Sequence, residues 1–253
     1  MTVDNLKELQ IIKRLCLRLN KAAKIHIAVN TGMNRIGVKY LQKFKQMLSF
    51  ICKNKLLKLK GVFTHCFDAD IKNSHFYKQM KVFKKYIKYI KNKNVLIHIG
   101  GSFCLTKKIP NFVNMVRVGL FIYGYGVFKL KPVMSITSKV IKITKCKRGE
   151  SVGYGSTLLK KDSTIGLVPL GYADGLPINL SNKADVIINN QKCKIIGRIC
   201  MDMLMVDITN KKVKLFDSVI VFNNADYFAK LCKTSTYEIL TNFNKIRAKE
   251  IIC

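Results

Sequence analysis

From Asn5 to Gly119 short β-branched runs alternate with helical periods, and each run stops on glycine or on polar residues. That order limits the fold more than any other feature, because strand and helix in strict alternation describe β/α units around a parallel sheet. Leu6, Leu9, Ile12, Leu15, Cys16 and Leu19 recur at helical spacing, with Asp4 or Asn5 placed to cap the helix. Lys24 to Val29 reads as a strand that empties into Asn30-Thr31-Gly32-Met33-Asn34-Arg35-Ile36-Gly37-Val38. A helical pattern from about Tyr40 to Cys52 precedes the strand Gly61 to His65. Another, from about Asn73 to Lys91, precedes Val95-Leu96-Ile97-His98 and Gly100-Gly101-Ser102, and Met115-Val116-Arg117-Val118-Gly119 closes the series. In barrels of this kind chemistry sits at the C-terminal strand exits. Here the exits supply Arg35, His65, Ser102 and Arg117. Each alone has a plain explanation: a surface turn, a satisfied buried histidine, a helix cap, an ion-pair partner. Four at equivalent positions point instead to a site.

The pattern changes near Lys131-Pro132. From Val133 to about Val221 short β-rich runs separated by turns replace the helices: Ser138 to Cys146, Ser163 to Leu170, Ala184 to Ile188, Cys193 to Ile199 and Leu204 to Ile208. The expectation is a first domain over 1–130 holding four β/α units of a barrel. A mostly β domain over 131–253 follows, with a helical tail from about Ala225 to Asn244. This second domain carries Gly149-Glu150-Ser151-Val152-Gly153-Tyr154-Gly155-Ser156-Thr157. Glycine on both sides of Tyr154 permits a tight or positive-φ path and lets another surface approach the phenol. By itself the stretch reads first as a glycine-rich hairpin corner with an exposed aromatic.

Composition removes several classes of function. Nine scattered cysteines without a Cys-x-x-Cys pair argue against a disulfide framework or a structural zinc site and point to a reducing compartment. His65, Cys66, Asp68 and Asp70 fall together but match no zinc spacing, so no metal is expected. Gly124-Tyr125-Gly126 lacks the glycine spacing of a nucleotide loop. The 46 Lys and Arg against 14 Asp and Glu give +32, a balance that often accompanies nucleic acid. The lysines are spread along the chain without a basic tail or RNA-binding motif, so no specific nucleic-acid partner is expected. The N-terminus shows no basic-then-apolar signal, and no run approaches the ~20 apolar residues of a membrane helix. The expected location is the cytoplasm.

In order along the chain, Asn30-Thr31-Gly32-Met33-Asn34-Arg35-Ile36-Gly37-Val38, Thr64-His65 with Ala69-Asp70, and Met115-Val116-Arg117-Val118-Gly119-Leu120 with Tyr123-Gly124 are followed by three more motifs. These are Val152-Gly153-Tyr154-Gly155-Ser156-Thr157, Gly171-Tyr172-Ala173-Asp174-Gly175 and Gly197-Arg198-Ile199-Cys200-Met201-Asp202. The set resembles the motifs of alanine racemase, a pyridoxal-phosphate-dependent family with a barrel and a C-terminal β domain. The resemblance covers almost the whole chain. It implies interconversion of L- and D-alanine, a D-alanine supply for cell-wall peptidoglycan, and a dimer. It also implies roles: Arg117 facing the pyridine nitrogen with His65 in support, and Ser102 with the backbone at Gly119 and Leu120 around the cofactor phosphate. Tyr154 would be the base on one face of the substrate α-carbon, acting in a partner subunit's site. Arg35, Tyr172, Met201 and Asp202 would hold the carboxylate and line the mouth of the site.

The departures from the family pattern carry expectations of their own. Ala28 stands where many members have a carbamylated lysine, Gly101-Ser102 replaces Asn-Ser, and Ile246-Arg247 stands where a phosphate-binding tyrosine is often followed by arginine. The β/α units that bear the pyridoxal lysine have no counterpart here, so a complementary N-terminal fragment is an expected partner. A broad-specificity amino-acid racemase of the same fold and a non-catalytic interaction subunit are the alternative readings.

Overall fold

Ile25 and Ile27 face one side of a six-residue strand and His26 the other, and this alternation organises the N-terminal unit. In the computed structural model, described for residues 1–69 and 75–243, that unit spans Met1–Ile122. Its strands are β1 (Thr2–Val3), β2 (Ala23–Ala28), β3 (Leu57–His65), β4 (Leu96–Gly100) and β5 (Met115–Arg117). They pair in sequence order and all in parallel. Helices α1 (Leu6–Leu19), α2 (Leu41–Cys52) and α3 (Phe76–Ile87) form the crossovers. β1, only two residues long, is too short to leave a pattern, so the sheet has five strands where four strand exits were read from the sequence.

The cap of α1 is Asn5, whose side chain accepts from the Glu8 N–H, while Glu8 Oε2 accepts from the Asp4 N–H. Asp4 itself reaches across to the Gly37 N–H at 2.8 Å. The apolar stripes of the helices bury Leu9, Phe44, Met47, Phe76, Met80 and Phe83 in one core with Ile25, Ile27, Val62, Ile97 and Ile99 of the sheet. Each such side chain contributes roughly 1.5–3 kcal/mol when fully buried. The strand register places His26, Gly61, Phe63, His65, His98, Gly100 and Arg117 on the opposite face. The sheet therefore separates a hydrocarbon face from one that holds imidazoles and a guanidinium.

The second unit is Tyr123–Cys253. It contains β6 (Ile136–Lys139), β7 (Lys142–Cys146), β8 (Ser151–Val152), β9 (Thr157–Leu158), β10 (Ser163–Val168), β11 (Asp185–Ile188), β12 (Gln191–Ile195), β13 (Leu204–Asp207) and β14 (Ser218–Phe222). Helices α4 (Ala225–Cys232) and α5 (Thr236–Asn242) follow, separated at Lys233 in the left-handed region. Seven strands form one antiparallel sheet in the order β6-β14-β11-β12-β13-β10-β7, and β8 pairs with β9 as a separate hairpin.

The run Ser138 to Cys146, read from the sequence as one strand, is broken at Val140-Ile141. β6 pairs with β14 and β7 with β10, at opposite edges of the sheet. Val140 is wholly buried and bonded through its backbone to Phe216 and Asp217, while the Ile141 N–H turns to the Leu167 carbonyl. Because two residues join the two edges, the sheet must curl until they meet. Ile246-Arg247 and the ends expected for the third helix and the tail, Asn73 and Asn244, lie outside the described residues.

Candidate active site

Arg117 leaves the end of β5 across Gly100. A Cβ at residue 100 would overlap both the Arg117 guanidinium and His65 Nδ1, so only glycine lets the two side chains cross that strand. Arg117 Nη1 donates to His98 Nδ1 at 2.5 Å, and Nη2 donates to the Thr64 carbonyl at 3.3 Å. The guanidinium lies 4.5 Å from the centroid of the Phe63 ring, which in turn stacks on His98. The two ion pairs among the described residues are Asp68–His75 and Lys147–Asp162, so the hydrogen-bond partners of Arg117 among them, His98 and the Thr64 carbonyl, carry no carboxylate. Burial lowers the pKa of His65, and the charges of Arg35 and Arg117 lower it further. His98 is pushed down to about 4, first by burial and then by Arg117 and His26. Both rings are neutral at pH 7.

At the exit of β4 the chain turns through Gly101 at φ 117° into the short 3₁₀ helix Ser102–Thr106. Ser102 is buried, and its Oγ accepts from the Gly119 N–H at 3.0 Å and the Phe121 N–H at 3.4 Å, with Leu120 between them. A hydroxyl and convergent backbone N–H groups make a cradle suited to an anion. Nearby, the Cys66 thiol bonds Cys104: this bond is the largest influence holding Cys104 below the usual thiol range, while Cys66 is pushed up. Guanidinium and cradle together fit the pyridoxal phosphate that the sequence resemblance implies: the one would donate to an acceptor nitrogen and the other would hold a phosphate.

The loop after β2 is set by Asn30, whose Oδ1 accepts from the Gly32 and Asn34 N–H groups. Below it Thr31 Oγ1 and Thr64 Oγ1 lie 2.7 Å apart. The wholly buried Gln79 of α3 donates to Thr31 Oγ1 at 2.8 Å and to the His65 carbonyl at 3.0 Å. This network fixes the loop against the exit of β3. Ala28, Asn30, Thr31, Met33, Phe63 and His65 are among the residues around a recess there, and among the described residues no lysine lines it. Arg35 is exposed on the same loop.

In the second unit Tyr154 stands at the tip of the β8–β9 hairpin, between Gly153 and Gly155 in positive φ, with 73% of its surface exposed. A Cβ on Gly153 would overlap Met205 Cε, and a Cβ on Gly171 would overlap the carbonyls of Cys200 and Met201. The Tyr172 and Ala173 N–H groups donate to those same two carbonyls, at 3.0 and 2.8 Å. Asp174 Oδ2 accepts from the Gly171 N–H. Three segments distant in sequence are thus zipped together, and Tyr172, Met201 and Asp202 share an exposed rim.

Of the residues expected from sequence, the structure gathers His65, Ser102, Arg117, Gly119 and Leu120 in the first unit, with Arg35 on the neighbouring loop. It gathers Tyr172, Met201 and Asp202 in the second, where Tyr154 stands on the adjoining hairpin. His98, Phe63, His26 and Gln79 are the groups sequence reading missed. Alternation within β4 was the available signal, since His98 shares the face of Gly100 and hence of Arg117. Among the described residues no group of three or more His, Cys, Asp or Glu could hold a metal ion, and Asp70 lies outside them. No helix among the described residues is long and apolar enough to cross a membrane.

Two family models match the chain, the alanine racemase N-terminal domain over residues 1–127 and the alanine racemase C-terminal domain over 133–252. The alanine racemase of Borreliella burgdorferi (strain ZS7) is 34% identical over 268 residues, covering 99% of this chain and 71% of that protein. The solved alanine racemase of Clostridium difficile 630 superposes with a TM-score of 0.88 at 29% identity, over 97% of this chain and 68% of that one. The alanine racemase from Bartonella henselae with covalently bound pyridoxal phosphate gives 0.83 at 25% identity, over 96% and 70%. With both models matched in order and a third of the residues shared along nearly its whole length, the chain belongs to the alanine racemase family.

Proposed function

We propose that this protein is a pyridoxal-phosphate-dependent racemase that interconverts L- and D-alanine in the cytoplasm and supplies D-alanine for the cell wall. The observation that carries the reading is Arg117: a guanidinium with neutral partners at a strand exit, in the same unit as the Ser102 cradle. Bound there, the cofactor would supply an electron sink that makes the α-proton of an amino acid acidic. An arginine facing the ring nitrogen keeps that nitrogen unprotonated and the sink shallow, which suits a racemase that must avoid side reactions. Ser102 and the Gly119 and Leu120 backbone would hold the phosphate, with His65 packed beside Arg117. Arg35 in the first unit, and Tyr172, Met201 and Asp202 in the second, are the residues we assign to the substrate carboxylate and to the mouth of an active site.

Tyr154 Oη takes or returns the proton at one face of the α-carbon, and its place on an exposed hairpin tip suits a reach into the site of a second copy of this chain. An ordinary phenol titrates near 10, so a nearby cation is needed for it to act as a base at neutral pH, and Arg35 is the supplier in this reading. The proton on the other face requires a second group. Among the described residues no lysine lines the recess, and the reading assigns the cofactor lysine to the N-terminal β/α units of the family's barrel, making this sheet part of that barrel.

The test is D-alanine formation from L-alanine with pyridoxal phosphate, using the 253-residue protein alone and with those β/α units added as a separate piece. The expected result is racemisation in the completed assembly and none from the 253 residues alone. Full activity of the latter would show that a lysine of this chain has taken the role, and no activity in either would remove the racemase reading.

A further inference from the structure

His26 stands at the far end of the hydrogen-bond chain that begins at Arg117. A guanidinium carries donors only. Arg117 Nη1 lies 2.5 Å from His98 Nδ1, so that nitrogen must offer its lone pair. The one proton of a neutral His98 then sits on Nε2, 2.8 Å from His26 Nδ1. His26 Nδ1 must accept it, which places the His26 proton on its own Nε2. One assignment of protons satisfies the whole line, and it needs both rings neutral. Burial lowers the pKa of His26, as it does for His98.

The backbone is shaped for this line. His26 of β2 lies opposite Gly61 of β3, where a Cβ would overlap the imidazole. Phe63, two residues on, lies opposite His98 of β4 and stacks on it with ring centroids 4.9 Å apart. Gly100 lies opposite Arg117 of β5 and leaves room for its guanidinium. A glycine therefore gives space to the basic side chain at each end of the relay, and an aromatic ring holds the middle. The His26 and His98 rings meet edge to face at 5.0 Å.

We propose that His26 is a positioning residue for Arg117: by accepting the Nε2 proton of His98 it fixes the tautomer whose Nδ1 lone pair holds the guanidinium in place. Among the described residues the relay anchors the arginine without a carboxylate, so its full charge remains for the group it faces. If His26 could not accept, His98 would gain nothing from keeping its proton on Nε2. The alternative tautomer sets an N–H against an N–H at Arg117, and the guanidinium would swing away. The benefit to a bound cofactor ring rests on the function proposed above. The tautomer relay does not, and it is read without cofactor or substrate.

The test compares the unaltered protein with His26→Asn and His26→Leu. Asparagine carries an acceptor oxygen close to the position of Nδ1, whereas leucine fills the space and accepts nothing. Two-bond ¹H–¹⁵N NMR correlations report the His98 tautomer directly. The Nε2–H form is expected in the unaltered protein and in His26→Asn, with a shift toward the Nδ1–H form in His26→Leu. In the assembled racemase the leucine variant is expected to lose on the order of tenfold in kcat with a smaller change in KM, and the asparagine variant to recover it. The proposal is overturned if His98 keeps the Nε2–H form in His26→Leu or if asparagine fails to rescue. Should the leucine variant not fold, an Nδ1–H or doubly protonated His98 in the unaltered protein at neutral pH overturns it equally. Normal tautomers in an inactive assembly would discredit the racemase reading and leave the relay standing.

Discussion

The Ser102 hydroxyl already accepts two backbone N–H groups, and the same cluster is the proposed contact for the cofactor phosphate. A hydrogen bond to a charged group contributes ~1.5–3 kcal/mol, so Ser102→Ala should weaken pyridoxal phosphate binding by about 10- to 100-fold. Titration followed by absorbance and fluorescence measures it, and unchanged affinity would remove Ser102 from the site. His98 gives a second prediction, in stability. Its pKa is near 4 in the folded protein against an ordinary 6.5, so between those values the unfolded chain binds the additional proton. Stability should therefore fall as pH drops from about 6.5 to about 4, by up to ~3 kcal/mol from this residue. Urea midpoints across that range test it, and His98→Asn, which accepts without titrating, should flatten the slope. A slope unchanged in that variant would assign the effect elsewhere. At this scale the exits Arg35, His65, Ser102 and Arg117 were legible because polar residues at strand ends stand out. His98 and His26 were not, because inside a strand their role depends on register with neighbours far along the chain.

Among the elements, the zipped loops of the second unit are the most exposed to a single change. Gly171 lies against the Cys200 and Met201 carbonyls, so Gly171→Ala must push the 171–175 and 197–203 segments apart. The expected cost is ~1–3 kcal/mol, the usual scale for forcing extra volume into a packed contact. The larger loss should be in KM for alanine, since Tyr172 and Met201 move with these loops. Denaturation and steady-state kinetics check it together, and an unaltered KM would separate the rim from the substrate. The helices were readable because α1, α2 and α3 carry clean apolar stripes over 12 to 14 residues. β1 was not, being two residues long, and neither was the break at Val140-Ile141. There the β-rich pattern runs on unbroken while the chain passes from one sheet edge to the other.

At the scale of the whole molecule, β1 and β5 each have one strand partner among the described residues. Parallel sheets are normally covered on their faces and guarded at their edges. The 253-residue protein should therefore run above its 28.9 kDa monomer mass in light scattering, or bind the added N-terminal β/α units. A monodisperse monomer that melts cooperatively would contradict this. The most direct measurement of the central claim is exchange of the alanine α-proton with solvent deuterium, followed by NMR from each enantiomer separately. It is made in the assembled protein with pyridoxal phosphate, for the unaltered chain and for Tyr154→Phe. If Tyr154 is the acid-base group on one face, the unaltered protein exchanges both enantiomers. The variant then loses ~10²- to 10⁴-fold for one of them and keeps the other. Equal exchange of both enantiomers in the variant, at the rate of the unaltered protein, would contradict the account.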